Sequence, residues 1–263
     1  MDSTIETLLH SGDLSGALSQ TEADLAARPD DPTLHFLMFE LRVLTGDFED
    51  AQHHLDALEG DQWENAREHY GGMVSAERKR ALLIGEGKGV PAFLMPPPPS
   101  LKLHYAAVVK LHHHADPEIP EVLANSTPRR TGTIDGESFR ALRDCDGLLG
   151  PVLEFFVPGA YGWAPLAQLK RVRLLPPQGY PDVIWIPAWI TLTDDKERFV
   201  RIPSLYAGSG ARSDVERLGL ETRWERPMDG LARAFGQRDL VVVDAEGNSA
   251  LRGIRQIHDI QFA

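Results

Sequence analysis

Residues 144–165 read DCDGLLGPVLEFFVPGAYGWAP, and this stretch divides the chain. Between Pro151 and Pro158 lies a compact apolar run, Val152 to Val157, interrupted only by Glu154. β-Branched and aromatic residues bounded by Gly and Pro predict a buried strand. Gly159 supplies the backbone freedom for a turn after it. Tyr161 and Trp163 then alternate as strand residues do, so both rings share a face. Pro165 suits the first turn of a short helix over 166–170. Upstream of this stretch the chain reads as helical, and downstream it reads mostly as strands.

The helical part carries an internal repeat. Ser11-Gly12-Asp13-Leu14-Ser15-Gly16-Ala17 returns as Thr45-Gly46-Asp47-Phe48-Glu49-Asp50-Ala51, an offset of 34 residues. That is the tetratricopeptide period. In each unit the Gly ends one helix, the Asp caps the next, and the Ala lets paired helices approach closely. Pro29 and Pro32 close the first unit and start a helix near Thr33. Leu34, Leu37, Met38, Leu41 and Leu44 form one apolar stripe, continued on the partner helix by Leu55 and Leu58. Trp63 to Ile84 predicts a third long segment, with Gly71-Gly72 as a break. A helix over 101–114 comes next, with Leu103, Ala106, Ala107, Val108 and Leu111 near one side. A degraded third unit would begin at 115–117. Repeat units cannot bury their faces alone, so the last helices are expected to pack on the strand-rich part of the chain.

Residues 85–89, GEGKG, lack phosphate-loop spacing and follow no strand, so they read as a flexible loop. Residues 96–99 are a polyproline spacer. Residues 125–136 read as a connection, and 138–142 as a brief helix. The second part then carries strands over 172–175 and 182–192. Pro187 interrupts the latter, which suits an edge or a bulge. Thr193-Asp194-Asp195 is a turn into a hairpin partner, 198–202. A short helix over 214–218 ends at Gly219, and strands over 221–225, 240–243 and 251–260 complete the part. The expected fold is α+β in two parts. A helical repeat superhelix occupies 1–125, and a small, mostly β domain with an antiparallel sheet occupies 126–263.

The net charge of −12 is unevenly spread. Residues 1–125 hold 9 Lys+Arg against 21 Asp+Glu, while 126–263 hold 18 of each. An acidic surface repels phosphate backbones, which argues against nucleic acid and for a basic peptide. No run of eighteen apolar residues is present, so no membrane span is expected. Residues 1–9 carry acids and no basic leader, so no secretory signal is expected. Cys145 is the single cysteine, which excludes an intrachain disulfide and favours a reducing compartment.

No catalytic constellation stands out. His112-His113-His114 with His104 invite a metal, but consecutive helical residues point in different directions. Asp144 and Asp146 lack the spacing of a calcium loop, and Gly147 suggests an Asx-type turn. Cys145 as a nucleophile would need a base, and His258 is the only histidine in the second part. Glu154, in an apolar strand, is expected to be buried and ion-paired, with an Arg as the natural partner. Asp144, Asp146, Glu154 and His258 together would be the groups of a small hydrolase or ligand-binding domain, the alternative to a protein-binding module. No metal and no cofactor is expected.

The ordered words of the second part resemble one family. They are Gly150-Pro151-Val152-Leu153-Glu154; Gly159-x-Tyr161-x-Trp163-x-Pro165; Pro203-x-Leu205-Tyr206; Arg217-Leu218-Gly219-x-x-Thr222-x-Trp224; and Gly236-Gln237-Arg238-Asp239-Leu240. Together with the Gly-Asp units they resemble the ImpE/TagJ family, also labelled SciE-type virulence proteins, accessory proteins of bacterial type VI secretion systems. The resemblance implies a cytoplasmic, non-enzymatic adaptor. It implies binding to the N-terminal helix of the small sheath subunit TssB and a link to sheath recycling by the ATPase ClpV. Homo-oligomerisation is left open. For the protein-binding surface, the aromatic residues Tyr161, Trp163, Trp185, Trp189 and Tyr206 are the expected contributors.

Overall fold

Each Gly-Asp unit ends one helix and begins another. The computed structural model describes residues 3–113, 118–125 and 130–263. Helix α1 (Ser3–His10) stops at Gly12, and α2 (Leu14–Ala27) is capped by Asp13, which accepts the Gly16 N–H at 2.7 Å. Helix α3 (Pro32–Thr45) stops at Gly46, and α4 (Phe48–Asp56) is capped by Asp47, which accepts the Asp50 N–H at 3.1 Å. Gly12 and Gly46 have φ of +84° and +72°, the left-handed conformation that a Cβ strains. Ala17 and Ala51 are fully buried between the paired helices. The two helix hairpins expected from the 34-residue offset are therefore present. The third unit placed at 115–117 lies outside the described residues.

Helix α5 (Glu64–Glu86) runs unbroken through Gly71-Gly72, against the expected break. Gly72 serves packing instead. A Cβ there would lie 2.8 Å from the Cα of Pro158, and its carbonyl accepts the Gly159 N–H at 2.9 Å. The helix thus meets a turn of the sheet backbone to backbone. Pro99 opens α6 (Pro99–Leu111), so the proline run flows into a helix. The buried stripe of α6 is Leu101, His104, Ala107 and Val108, while Leu103 is exposed. The stripe is rotated from the expected one because His104 can be buried once its ring bonds the Leu148 carbonyl, at 2.8 Å. Helix α7 (Ile119–Asn125) completes the helical part.

The second part is antiparallel throughout its named strands. Strands β1 (Gly132–Ile134) and β2 (Glu137–Phe139) form a hairpin where a connection and a brief helix were expected. Its two-residue turn, Asp135-Gly136, has both φ positive, as a type I′ turn requires. Next come β3 (Ala141–Asp144), β4 (Val152–Val157), β5 (Ala160–Pro165) and β6 (Leu169–Leu174). A one-turn 3-10 helix, Leu166–Gln168, stands where the 166–170 helix was expected. Residues 180–184 form a short helix, α8 (Tyr180–Ile184), so β7 is only Trp185–Leu192. Strand β8 (Glu197–Pro203) and helix α9 (Asp214–Arg217) agree with expectation. The chain closes with β9 (Thr222–Met228), β10 (Leu231–Gly236), β11 (Asp239–Val243), β12 (Ser249–Gly253) and β13 (Asp259–Phe262).

The main sheet has the order β2-β1-β13-β6-β7-β8-β4-β5, beside a β10-β9 pair and a β12-β11-β3 sheet. Pro187 does not sit on an edge: β7 lies between β6 and β8. Its carbonyl accepts from Leu175, just past the end of β6. A residue's N–H points the same way as its carbonyl, so the missing donor falls where that ladder is ending. The outer side of β5 is covered by Ala92, which donates to Tyr161 at 2.8 Å and accepts from Trp163 at 2.9 Å.

One buried set of side chains runs from Ile5 and Leu14 through Met73 and Leu83 to Phe156, Trp163 and Trp185. The helices and one face of the sheet therefore share a core. The other face, with Leu153, Phe155, Val172 and Ile190, packs with Leu142 and Leu240 of the three-stranded sheet.

Candidate functional site

Alternation along β4 turns Val152, Glu154 and Phe156 toward the helices and Leu153 and Phe155 away from them. Glu154 is fully buried and faces α5. Arg80 of α5 clamps it with two bonds, Nε to Oε1 at 2.9 Å and Nη2 to Oε2 at 2.7 Å. The same Nη2 donates to the Leu205 carbonyl at 2.8 Å. Arg238 approaches from the opposite side. It bonds Glu154 through Nη2, Asp144 through Nη1 at 3.0 Å, and the Pro203 carbonyl through Nε at 3.1 Å. Tyr161 donates to Glu154, and Trp163 Nε1 donates to the Tyr161 oxygen at 2.6 Å. Trp185 Nε1 donates to Glu77 at 3.0 Å, and Glu77 also faces Arg80 at 3.4 Å.

A second layer surrounds Asp144. Tyr206 donates to it at 2.8 Å and receives the Asp239 N–H at 3.0 Å. Asp144 also accepts the Asp146 N–H, and Asp146 accepts from Leu148, Ala234 and Arg233. These are the Asx-type bonds expected near Gly147. Burial lifts the Asp144 carboxyl to about 6 against the pull of Arg238, and depresses Arg238 to about 10. Tyr161 and Tyr206 are raised above the ordinary phenol by the same loss of water. The Cys145 thiol, 3.0 Å from the Tyr206 oxygen, is pushed up to about 11, so it is a thiol and not a nucleophile at neutral pH.

The words of the sequence therefore converge on one place. Glu154, Tyr161, Trp163, Tyr206, Arg238 and Asp239 come from four of the motifs and meet where Arg238 and Arg80 are buried. The carboxylates of Glu77, Glu154, Asp144 and Asp146 each face a fixed cation or N–H donors, so the cluster is a clamp between α5 and the sheet. Arg80 was invisible as its key: on α5 it is one of three consecutive basic residues, and nothing local marks it for burial.

Other expected site residues fall elsewhere. His258 is 78% exposed, 3.8 Å from Asp135 beside β13, and is not brought to Asp144, Asp146 and Glu154. Tyr161, Trp163, Trp185 and Tyr206 are buried and hold the clamp together. Trp189 is half-buried, with its ring 5.3 Å from that of exposed Phe199 on β8. His104 is wholly buried, and burial lowers it to about 4. Among the described residues no group of three or more His, Cys, Asp or Glu could hold a metal ion, and His114 lies outside them. No helix among them is long and apolar enough to cross a membrane.

Two of the open cavities among the described residues border α3. One, of about 260 Å³, lies between α3, α5 and the 205–211 loop, lined by Leu44, Phe48, Arg80, Tyr206 and Gly208. The other, of about 480 Å³, is lined by Asp24, Asp31, Leu34, Leu37, Glu40 and Tyr180.

Helix hairpins locked onto an antiparallel α+β part through a buried arginine–carboxylate clamp define the class. Residues 136–258 match the family model described as ImpE protein. The type VI secretion system accessory component TagJ of Pseudomonas aeruginosa is 29% identical over 259 residues, spanning 96% of this chain and 89% of that protein. A crystal structure of a Vibrio parahaemolyticus protein has the same fold, with a TM-score of 0.86 at 20% identity over 99% of this chain and 98% of that one. Residues 136–258 thus carry the ImpE pattern, and the chain as a whole is similar to TagJ along nearly its full length.

Proposed function

We propose that this protein is a non-enzymatic accessory component of a bacterial type VI secretion system, acting in the cytoplasm as an adaptor. Its ligand is the N-terminal helix of the small sheath subunit TssB, and through it the protein connects the sheath to recycling by ClpV. The similarity to TagJ along nearly the whole chain carries this reading. The clamp supports it: the groups a hydrolase would need are spent on joining helices to sheet, and His258 stands apart. In this reading 1–125 is the recognition module and 126–263 is the body that braces it.

The test is calorimetric titration of the synthetic TssB N-terminal helix into the protein, alongside a Trp189→Ala variant. Saturable one-to-one binding is expected. Absence of binding to the unaltered protein would remove the adaptor reading. A loss confined to Trp189→Ala would put the contact on the β7–β8 face and not among the helices.

A further inference from the structure

The 480 Å³ cavity is lined by a buried carboxyl group, that of Glu40, which no other described residue pairs with. Glu40 lies on the inner side of α3 with only 5% of its surface exposed, yet it lines this cavity. The other buried glutamates of the helix–sheet joint, Glu77 and Glu154, face arginines. Glu40 has no hydrogen-bond or ion-pair partner among the described residues. Leaving a carboxyl this buried without a partner is costly, and a cation arriving through the open cavity would remove that cost. The walls are Ile5, Leu34, Phe36, Leu37 and Tyr180, which suit an aliphatic stem. The rim carries Asp24 and Asp31; Arg28, the one cation lining the cavity among the described residues, is paired with Asp31 at 2.9 Å.

We propose that this cavity receives a basic side chain, lysine or arginine, from the helix the protein binds, with Glu40 as its buried counter-ion. The inference rests on the adaptor reading and adds where and by what chemistry the helix is held. Charge complementarity points to this occupant over a purely apolar one. The whole net charge of −12 resides in residues 1–125, and three carboxyl groups converge on this cavity.

The empty site has a protonation signature. Burial raises the Glu40 carboxyl to about 8, against a smaller lowering by the chain's amino terminus. The other groups facing it are Asp24 on α2, Arg28 and Asp31 in the α2–α3 connection, Tyr70 on α5, and Tyr180 on α8 with Arg255 behind it. At pH 7 the free carboxyl is therefore mostly protonated. An arriving cation favours the carboxylate, so the proton leaves as the complex forms.

The experiment titrates the synthetic TssB N-terminal helix into the protein at pH 7 in buffers of different ionisation enthalpy. Peptides with each Lys or Arg replaced by Gln are run in parallel. About one proton released per complex is expected for the unaltered protein, and none for Glu40→Gln. Gln copies the shape of the protonated acid, so the variant should fold. Its affinity should fall by roughly tenfold or more. One peptide substitution should show the same loss and no further loss against Glu40→Gln. Binding of equal strength by Glu40→Gln with unchanged proton release would overturn the proposal while leaving the adaptor reading standing; no binding at all would overturn both. A carbon-13 titration of the free protein supplies an independent check. A Glu40 carboxyl ionising near the ordinary value of about 4.3 would mean that its charge is already compensated in the free protein, which also overturns the proposal.

Discussion

Arg80 of α5 and Glu154 of β4, 74 residues apart in the chain, are joined side-on by two hydrogen bonds in a site with almost no exposure to water. Arg238 holds the same carboxylate from the sheet side. A single carboxylate therefore bridges two buried guanidinium groups, one from each half of the fold.

Removing that carboxylate should be severe. Glu154→Ala removes the carboxylate between Arg80 and Arg238, leaving as counter-charges only Glu77 at 3.4 Å for Arg80 and Asp144 at 3.0 Å for Arg238. The expected loss is about 3–5 kcal/mol, the usual cost of orphaning a buried ion pair. Urea unfolding followed by tryptophan fluorescence would measure it, since Trp163 and Trp185 adjoin the clamp. A loss under about 1 kcal/mol would show that the clamp does not carry the joint.

Gly71 and Gly72 should behave oppositely despite being neighbours in one helix. An alanine Cβ at 72 meets Pro158 at 2.8 Å, whereas at 71 the nearest atom is Gln52, at 3.7 Å. Gly72→Ala should destabilise by roughly 1–3 kcal/mol through overpacking. Gly71→Ala should be neutral or stabilise by up to about 1 kcal/mol, the helix-propensity difference. Thermal melts of the two variants decide it; equal effects would contradict the close approach.

The repeated caps make a matched pair. Asp13→Ala and Asp47→Ala should each cost about 1 kcal/mol, because each frees an N–H in the first turn of its helix. Gly46→Ala should cost about 1–2 kcal/mol from backbone strain alone. The added Cβ has room there, with its nearest neighbour at 3.7 Å. Chemical denaturation of the three variants would show whether the two units are energetically alike.

Stability should be bounded on both sides of neutral pH by two buried groups of opposite sign. His104 is lowered to about 4 in the fold. Its contribution is present above about 6.5 and is lost as pH falls toward 4, because only the unfolded chain takes up the proton. Glu40 is raised to about 8. Its contribution is present below about 4.5 and is lost as pH rises through 8, because only the unfolded chain releases the proton freely. Glu40→Gln should therefore match the unaltered protein near pH 4 and exceed it by a few kcal/mol near pH 8. Denaturant midpoints across that range test the sign; a variant weaker at pH 8 would refute it.

Much of the local structure was legible. The Gly-Asp caps, the strand from Val152 to Val157, the Gly159 turn and the β7–β8 hairpin all rest on interactions within a few residues. Two hairpins escaped although their turns were written plainly: Asp135-Gly136 joins β1 to β2, and Asp229-Gly230 joins β9 to β10. Asp-Gly between two short extended runs is a hairpin signal. It lost to a helical reading of 138–142 and to a polar connection. The Pro187 reading failed for another reason: which side of a strand lacks a partner depends on where the neighbouring strand stops.

The sequence by itself determined the class of each part, the repeat period, the cap residues and the burial of Glu154 with an arginine. Those come from chain-local sterics and from the cost of leaving a charge alone in an apolar strand. Only the tertiary structure decided which arginines they are, that four of the five expected surface aromatics are instead the walls of the clamp, and that Glu40 is left without a partner among the described residues. The reason is physical. Burial and pairing are properties of the space between elements, and that space is set by how α5, β4 and the 203–206 segment meet, not by spacing along any one of them.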